Sequence, residues 1–184
     1  MRLWIISLLL LGQVACLSAQ NSLPSSTTGD AKEEKPELWA KSVLSKKAPR
    51  FMIDKWVNHA PDSVAMKGKC MLIHYWSPMY AWGAYLTIPR FNRLSKEWSK
   101  ELVIIGVTDA AAEQVDNITP VMEYPYASAP KMIDDLEVKH FCYALFVDSD
   151  GIVRWEGCPF LKGQHLSDKA LKALISQYKK KTNK

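Results

Sequence analysis

Three features of the sequence predict an α/β fold with a central mixed β-sheet and helices on both of its faces. Residues 70–76 and 102–107 are continuous apolar runs of strand length, which is typical of strands buried on both faces. An amphipathic segment over 84–100 joins them as a helix, so the two strands are expected to be parallel. Further along, strands over 143–147 and 152–155 flank the turn sequence Asp-Ser-Asp-Gly and are predicted to form an antiparallel hairpin.

The helices are predicted from their apolar spacing and from their end signals. The apolar face of the first helix is expected to consist of Leu86, Phe91, Leu94 and Trp98. Pro89 lies inside this helix and is expected to kink it. Ser167 is predicted to cap a last helix. The apolar stripe of that helix consists of Leu171, Leu174, Ile175 and Tyr178.

Length and composition indicate one globular domain. The chain has 184 residues, of which 48% are hydrophobic and 23% are charged, as in an ordinary globular protein. Residues 51–53 are predicted to form one more short strand, and residues 110–138 a helical or irregular crossover. The net charge of +5 is matched by Arg2 and four lysines near the C-terminus, so the body is close to neutral. A neutral body predicts no nucleic-acid partner.

The N-terminus has the features of a secretory signal. A short basic start precedes the apolar run Leu3–Leu11, and small residues follow it, so we predict a signal peptide over 1–19. Cys16 offers the alternative of a lipid anchor, as in a bacterial lipoprotein. After cleavage no transmembrane segment is expected. The predicted location is the bacterial periplasm or cell envelope.

Composition divides the rest of the chain into three parts. Residues 20–36 are polar and aperiodic, and we interpret them as a flexible spacer. The folded domain is predicted over 37–178, and residues 179–184 form a basic tail.

Several short motifs occur in the order typical of one known family. They are Ala48-Pro49-Arg50-Phe51, Gly68-Lys69 before a strand ending in Tyr75-Trp76, Ile88-Pro89, Val103–Val107, and an Asp-x-x-Gly-x-Val-x-Trp-x-Gly stretch over 148–157. Together they resemble the thioredoxin-fold proteins of the exported TlpA-like, AhpC/TSA-related (redoxin) group. The resemblance implies a thioredoxin-like fold over most of the folded region. It also implies thiol–disulfide exchange by a Trp-Cys-x-x-Cys motif at the start of the kinked helix.

The cysteines of that motif are absent. Counting back from Pro89, Ala81 and Ala84 occupy the two cysteine positions; counting forward from Trp76 gives Tyr80 and Gly83 instead. An alanine methyl group cannot act as a nucleophile, so exchange by two cysteines is excluded there. We therefore expect no catalytic residue at the start of this helix.

Two other positions of the family pattern have changed as well. His74 occupies the position that the resemblance assigns to a proton-relay residue, and Cys142 the position of a cis-proline. A cis peptide before cysteine is costly, so a trans bond is expected there. His74, in an apolar strand, is expected to be a hydrogen-bonded core histidine. Since the dithiol, the relay and the proline have changed together, we interpret the site as catalytically retired.

The region of the former active site is rich in large side chains. Tyr80, Trp82, Tyr85 and Phe141 are predicted to cluster there beside Cys142. Two interpretations stay open at this point: the aromatic groups fill space left by the altered loop, or they form an apolar patch that binds a protein or peptide in the envelope. His59, His140 and His165 show no ligand spacing, so no metal site and no cofactor are predicted. Cys70 is expected to be an inert, buried thiol.

The predicted hairpin register indicates whether Cys142 and Cys158 can form a disulfide. Centring the turn on Ser149 and Asp150 places Phe146 opposite Val153 and Cys142 opposite Gly157. Cys158 is then offset by one residue and points to the other face, which favours two free thiols over a disulfide.

Three functions are compatible with these sequence features. The first is a thioredoxin-like protein that has lost the redox dithiol and binds a protein or peptide in the former substrate groove. The alternative is a thiol–disulfide oxidoreductase that uses Cys142, with or without Cys158, in an atypical site. A peroxidase related to AhpC/TSA is a third hypothesis. It is weaker than the other two, because a peroxidase needs a cysteine near the start of the kinked helix to react with peroxide, and none lies there.

Overall fold

A computed structural model of the chain describes residues 38–115 and 120–179. The predicted signal peptide, the spacer, Cys16 and the tail beyond Lys179 lie outside these ranges, so those predictions and the boundaries of the domain stay predictions. In the described part, no helix is both long and apolar enough to cross a membrane.

The described strands form a mixed six-stranded sheet in the order β1-β4-β3-β2-β5-β6. The strands are β1 Lys55–Trp56, β2 Cys70–Trp76, β3 Leu102–Thr108, β4 Tyr126–Ser128, β5 Ala144–Val147 and β6 Val153–Gly157. β2 pairs in parallel with β3, and β3 with β4, whereas β1, β5 and β6 run antiparallel to their neighbours. The predicted buried strands and the parallel crossover between them are therefore confirmed.

Four α-helices connect or cover these strands in the described part of the chain. They are α1 Ser63–Met66, α2 Ala81–Glu97, α3 Pro130–Asp135 and α4 Asp168–Tyr178, and two short 3₁₀ turns lie at Pro78–Tyr80 and Ala112–Gln114. Residues of α2 and α4 pack with one face of the sheet, and residues of α3 pack with the other. The predicted α/β class, with helices on both faces, is confirmed.

Both predicted helices are present, but α2 begins and ends three residues earlier than predicted and its buried face differs, while the kink at Pro89 stays a prediction. The Ser167 side chain accepts a hydrogen bond from the backbone N–H of Ala170 and so caps α4, as expected. In α2, which contains Pro89, the fully buried residues include Phe91 and Leu94, but Leu86 is 41% exposed. The core face instead runs through Ala84 and Ile88, which precede Phe91 at helical spacing.

Two stretches differ from the prediction. Residues 51–53 form no strand; their side chains are half-buried against the core on the α3 side of the sheet, and the edge strand β1 follows two residues later. The crossover over 110–138, predicted as helical or irregular, contains the helix α3 but also the strand β4, which sequence periodicity did not reveal. β4 has only three residues, too few to show an alternating pattern.

The register of the β5–β6 hairpin also differs from the prediction. Phe146 lies opposite Trp155 rather than Val153, and a bulge follows it. The turn is wider than expected because the Asp148 carboxylate accepts the backbone N–H groups of both Asp150 and Ile152, and Gly151 adopts a φ of +79°. The turn and the bulge together move β6 by two residues against β5.

Candidate functional site

The first turn of α2 contacts the loop that leads into β5. A Cβ atom on Gly83 would lie only 2.8 Å from the carbonyl oxygen of Phe141 and 3.9 Å from the Cβ of Cys142. Only glycine allows the loop to approach this closely. The site therefore lies where the free N–H groups of a helix N-terminus meet residues 140–142.

Both pairs of positions that motif spacing assigns to the two cysteines, Ala81 with Ala84 and Tyr80 with Gly83, lie in or just before this turn. Ala81 is the first residue of α2, and Ala84 lies one turn later with its methyl group buried. Tyr80 precedes the helix, and its side chain does not cap it. The backbone geometry of a helix N-terminus is thus present without a sulfur atom on the helix itself.

A disulfide joins Cys142 to Cys158, with Cα atoms 5.3 Å apart. The expectation of two free thiols was wrong, because it extended the regular alternation of a strand to two cysteines that lie beyond the ends of β5 and β6. β6 ends at Gly157, whose φ of +145° turns the chain, and the Cys158 N–H then donates to the Gln164 side chain. This irregular strand end brings Cys158 within reach of the loop residue Cys142.

An apolar pocket of about 180 Å³ opens between the helix and the loop. It is lined by Trp39, Tyr80, Trp82, Gly83, His140, Phe141 and Cys142. The rings of Tyr80 and Phe141 stack with centroids 5.5 Å apart, and Trp39 packs against His140 at 4.6 Å. Aromatic groups from both sides thus form the walls.

The structure brings most of the predicted binding residues together. Tyr80, Trp82, Phe141 and Cys142 line the pocket, whereas Tyr85 is 56% exposed and lies outside its lining. Trp82, which lines the pocket, is 73% exposed, and Met79, which precedes the lining residue Tyr80 in sequence, is 86% exposed. Sequence reasoning missed Trp39 and His140, because nothing in their local sequence indicates that both reach the same surface.

His74 is fully buried and does not line the pocket. Its ring lies against Phe91, and its Nδ1 is 3.3 Å from the Tyr124 hydroxyl. Burial lowers the pKa of His74 to about 3, because the charged ring would lose its hydration. The side chain is therefore neutral at physiological pH and belongs to the core.

Cys70, the other described cysteine, is buried at the start of β2. Burial, and then the nearby negative charge of Asp148, raise the pKa of this thiol to about 11. A thiol of this kind is a poor nucleophile at neutral pH. No cluster of side chains suited to a metal ion occurs among residues 38–115 and 120–179.

Comparison with known proteins identifies the fold. No protein-family model and no curated protein sequence matches the chain. Among solved structures, a thiol-disulfide isomerase from Corynebacterium glutamicum is similar with a TM-score of 0.57 and 16% identity, over 73% of this chain and 97% of that one. A thioredoxin-like protein in its oxidised form gives 0.58 and 17% identity, over 72% and 97%.

A third similar structure is the thioredoxin domain of a thiol-disulfide oxidoreductase from Bacteroides vulgatus. Its TM-score is 0.52 with 15% identity, over 74% of this chain and 98% of that one. The chain therefore has a thioredoxin-like fold, as its motifs predict. At these sequence identities the similarity shows the fold alone. Any activity must be argued from the residues at the site.

The disulfide generates a first prediction. Cys142→Ser should lower the free energy of unfolding by about 3 kcal/mol, because the bond closes a loop between residues 16 apart and restricts the unfolded chain. Urea denaturation of the oxidised proteins measures the difference. Alkylation of the denatured, unreduced chain from Gln20 onward should label Cys70 alone. Three labelled cysteines would exclude the bond.

Burial of His74 generates a second prediction. Its pKa is about 3 in the folded chain and about 6.5 when unfolded, so between these values the unfolded state binds one more proton. Stability should therefore fall as the pH is lowered through this window, by about 1.4 kcal/mol per pH unit from this residue. Urea titrations at a series of pH values should show a shallower fall in His74→Gln. The exposed His165→Gln serves as control, and equal slopes in both variants would contradict the assignment.

Proposed function

We propose that this is an exported thioredoxin-fold protein that binds an extended segment of a protein or peptide through the pocket at the start of α2. The observation that carries the proposal is the aromatic pocket itself, in which the lining residues Trp82 and Tyr80 are 73% and 50% exposed. Large apolar side chains exposed together at a concave site favour binding.

The size of the pocket indicates what it takes. Its volume of about 180 Å³ is close to that of cavities, about 150 Å³, that hold a benzene ring. The pocket thus fits one aromatic or branched aliphatic side chain of a bound segment. The stacked rings of Tyr80 and Phe141 supply a wall with few rotatable bonds, so little side-chain entropy is lost on binding.

The same site lacks the groups for exchange chemistry on α2. Neither Ala81 nor Ala84 can form a mixed disulfide. The sulfur atoms nearby are tied to each other, and Cys142 and Cys158 are only 6% and 3% exposed. We therefore infer that the disulfide stabilises the loop that forms one wall of the pocket.

Export to the bacterial periplasm or cell envelope is part of the proposal. The apolar run Leu3–Leu11 followed by small residues supports it, as does a disulfide, which persists in oxidising compartments. The partner is then a protein or peptide of the envelope. A lipid anchor at Cys16 remains the alternative to cleavage after Ala19.

A second candidate function is thiol–disulfide exchange by Cys142 and Cys158. It is favoured by the position of Cys142, which lines the pocket and lies beside the N-terminal turn of α2, where a thiolate is stabilised. In the reduced form, the Cys142 thiolate would attack a substrate disulfide and release one substrate thiolate. Cys158 would then attack the Cys142 sulfur and release the second. The substrate gains two electrons, and a dithiol must reduce the protein again.

Peptide binding can be tested on the pocket residues. On an array of peptides that differ in their apolar residues, the oxidised protein should retain peptides carrying large apolar side chains. Trp82→Ala should weaken the affinity by about 30-fold or more, measured by titration of the best peptide, because an exposed tryptophan at the pocket entrance is expected to be a hot spot. Leu86→Ala changes an exposed apolar residue of the same helix outside the pocket lining and should leave affinity unchanged. Equal losses in both variants would refute the site.

Reduction of insulin by dithiothreitol separates the two candidate functions. With thioredoxin as the standard, this chain should give only the uncatalysed rate, because α2 has no cysteine and the remaining disulfide is buried. Turnover that Cys142→Ser abolishes would instead establish the second candidate. Activity that survives replacement of Cys70, Cys142 and Cys158 together would indicate a contaminant.

A further inference from the structure

The segment over 38–53 is basic and contains no acidic residue. Its four charged residues are Lys41, Lys46, Lys47 and Arg50, and all four are exposed. Within the described residues, Lys41, Lys46 and Arg50 pair with no carboxylate. The concentration of charge is local, since the body of the chain is close to neutral.

Buried and backbone contacts hold this segment against β6. The carboxylate of Glu156, which is 8% exposed, accepts hydrogen bonds from the Ser42 hydroxyl and, at 2.8 Å, from the backbone N–H of Val43. Val153 then exchanges backbone hydrogen bonds of 2.9 Å with Ser45 and Lys46. The backbone that carries the basic side chains is thus held against the sheet.

A turn in this segment presents an apolar side chain to solvent. Leu44 is 47% exposed, and the backbone N–H of Lys46 closes the turn on the Val43 carbonyl at 3.0 Å. Ser45 has a φ of +63°, a left-handed conformation that non-glycine residues seldom adopt. The turn therefore exposes Leu44, which lies between Lys41 and Lys46 in the sequence.

Beside the turn, a groove of about 410 Å³ combines the same cations with apolar groups. Its lining consists of Lys41, Val43, Lys46, Lys47, Pro49, Arg50, Met52, Met132, Asp135 and Leu136. Asp135 contributes the one negative charge of this lining, and Lys131 pairs with it at 3.3 Å. We call the surface formed by residues 41–50 and this groove the basic face.

We propose that the basic face binds the surface of a bilayer that contains anionic phospholipids. Lysine and arginine side chains attract anionic headgroups, and each contributes about 1 kcal/mol near such a surface. Leu44 supplies an apolar group that enters the headgroup boundary. A polynucleotide or an acidic peptide would pair with the lysine and arginine side chains but leave Leu44 in water. A bilayer surface would pair with these side chains and also bury Leu44. The proposal is independent of what the aromatic pocket binds.

Vesicle co-sedimentation of the oxidised chain from Gln20 onward tests the proposal, because this form lacks the apolar leader. The protein should bind vesicles of phosphatidylcholine mixed with phosphatidylglycerol and should be released from them at high salt. It should not bind vesicles of phosphatidylcholine alone. Lys41→Gln, Lys46→Gln and Arg50→Gln combined should lower the partition coefficient by about 100-fold, that is about five-fold for each lost charge.

Two further variants make the outcome specific. Lys162→Gln, Lys169→Gln and Lys172→Gln combined remove the same charge from exposed positions away from the basic face, and should leave partitioning unchanged. Leu44→Ser should lower partitioning several-fold without changing retention on heparin. Equal loss in the two triple variants, or no binding to the anionic vesicles, would overturn the proposal. Full binding by Leu44→Ser would show that charge alone holds the vesicles and would overturn the entry of Leu44 into the headgroup boundary.

Discussion

The close approach of residues 140–142 to the first turn of α2 is the contact on which the site depends. Gly83 permits it, because any larger residue would place a Cβ within 2.8 Å of the Phe141 carbonyl oxygen. The Cys142–Cys158 disulfide maintains it from the other side, by tying the loop to the end of β6. Between these two constraints the stacked rings of Tyr80 and Phe141 form the wall of the pocket. The disulfide thus lies beside a helix turn that carries no cysteine.

The long, uniform elements of the fold could be predicted from the sequence. β2 spans the predicted residues, and β3 extends the predicted strand by one residue. Six of the seven residues in each strand are buried, and so long an apolar run is a strong signal by itself. β4 could not be predicted, since its three residues are defined by pairing with β3 rather than by any pattern of their own. Short elements depend on tertiary contacts that local sequence does not show.

The candidate site was predictable only in part, for a similar reason. The positions of Ala81, Ala84 and Cys142 followed from motif spacing, and four of the five predicted binding residues line the pocket. Trp39 lies far from them in sequence, and only the folded chain shows that it packs on His140. The disulfide was missed because Cys142 and Cys158 lie beyond the ends of β5 and β6, and the φ of +145° at Gly157 breaks the alternation of faces before Cys158. Local sequence does not show where a strand becomes irregular.

The disulfide has a consequence for the order in which the chain becomes oxidised. Cys142 precedes β5 and Cys158 follows β6, so neither cysteine belongs to a strand. Pairing of β5 with β6 brings these two strand ends to the same edge of the sheet, where the Cα atoms of the cysteines are 5.3 Å apart. The covalent link therefore follows strand pairing, and it then holds the two ends together when the sheet opens locally.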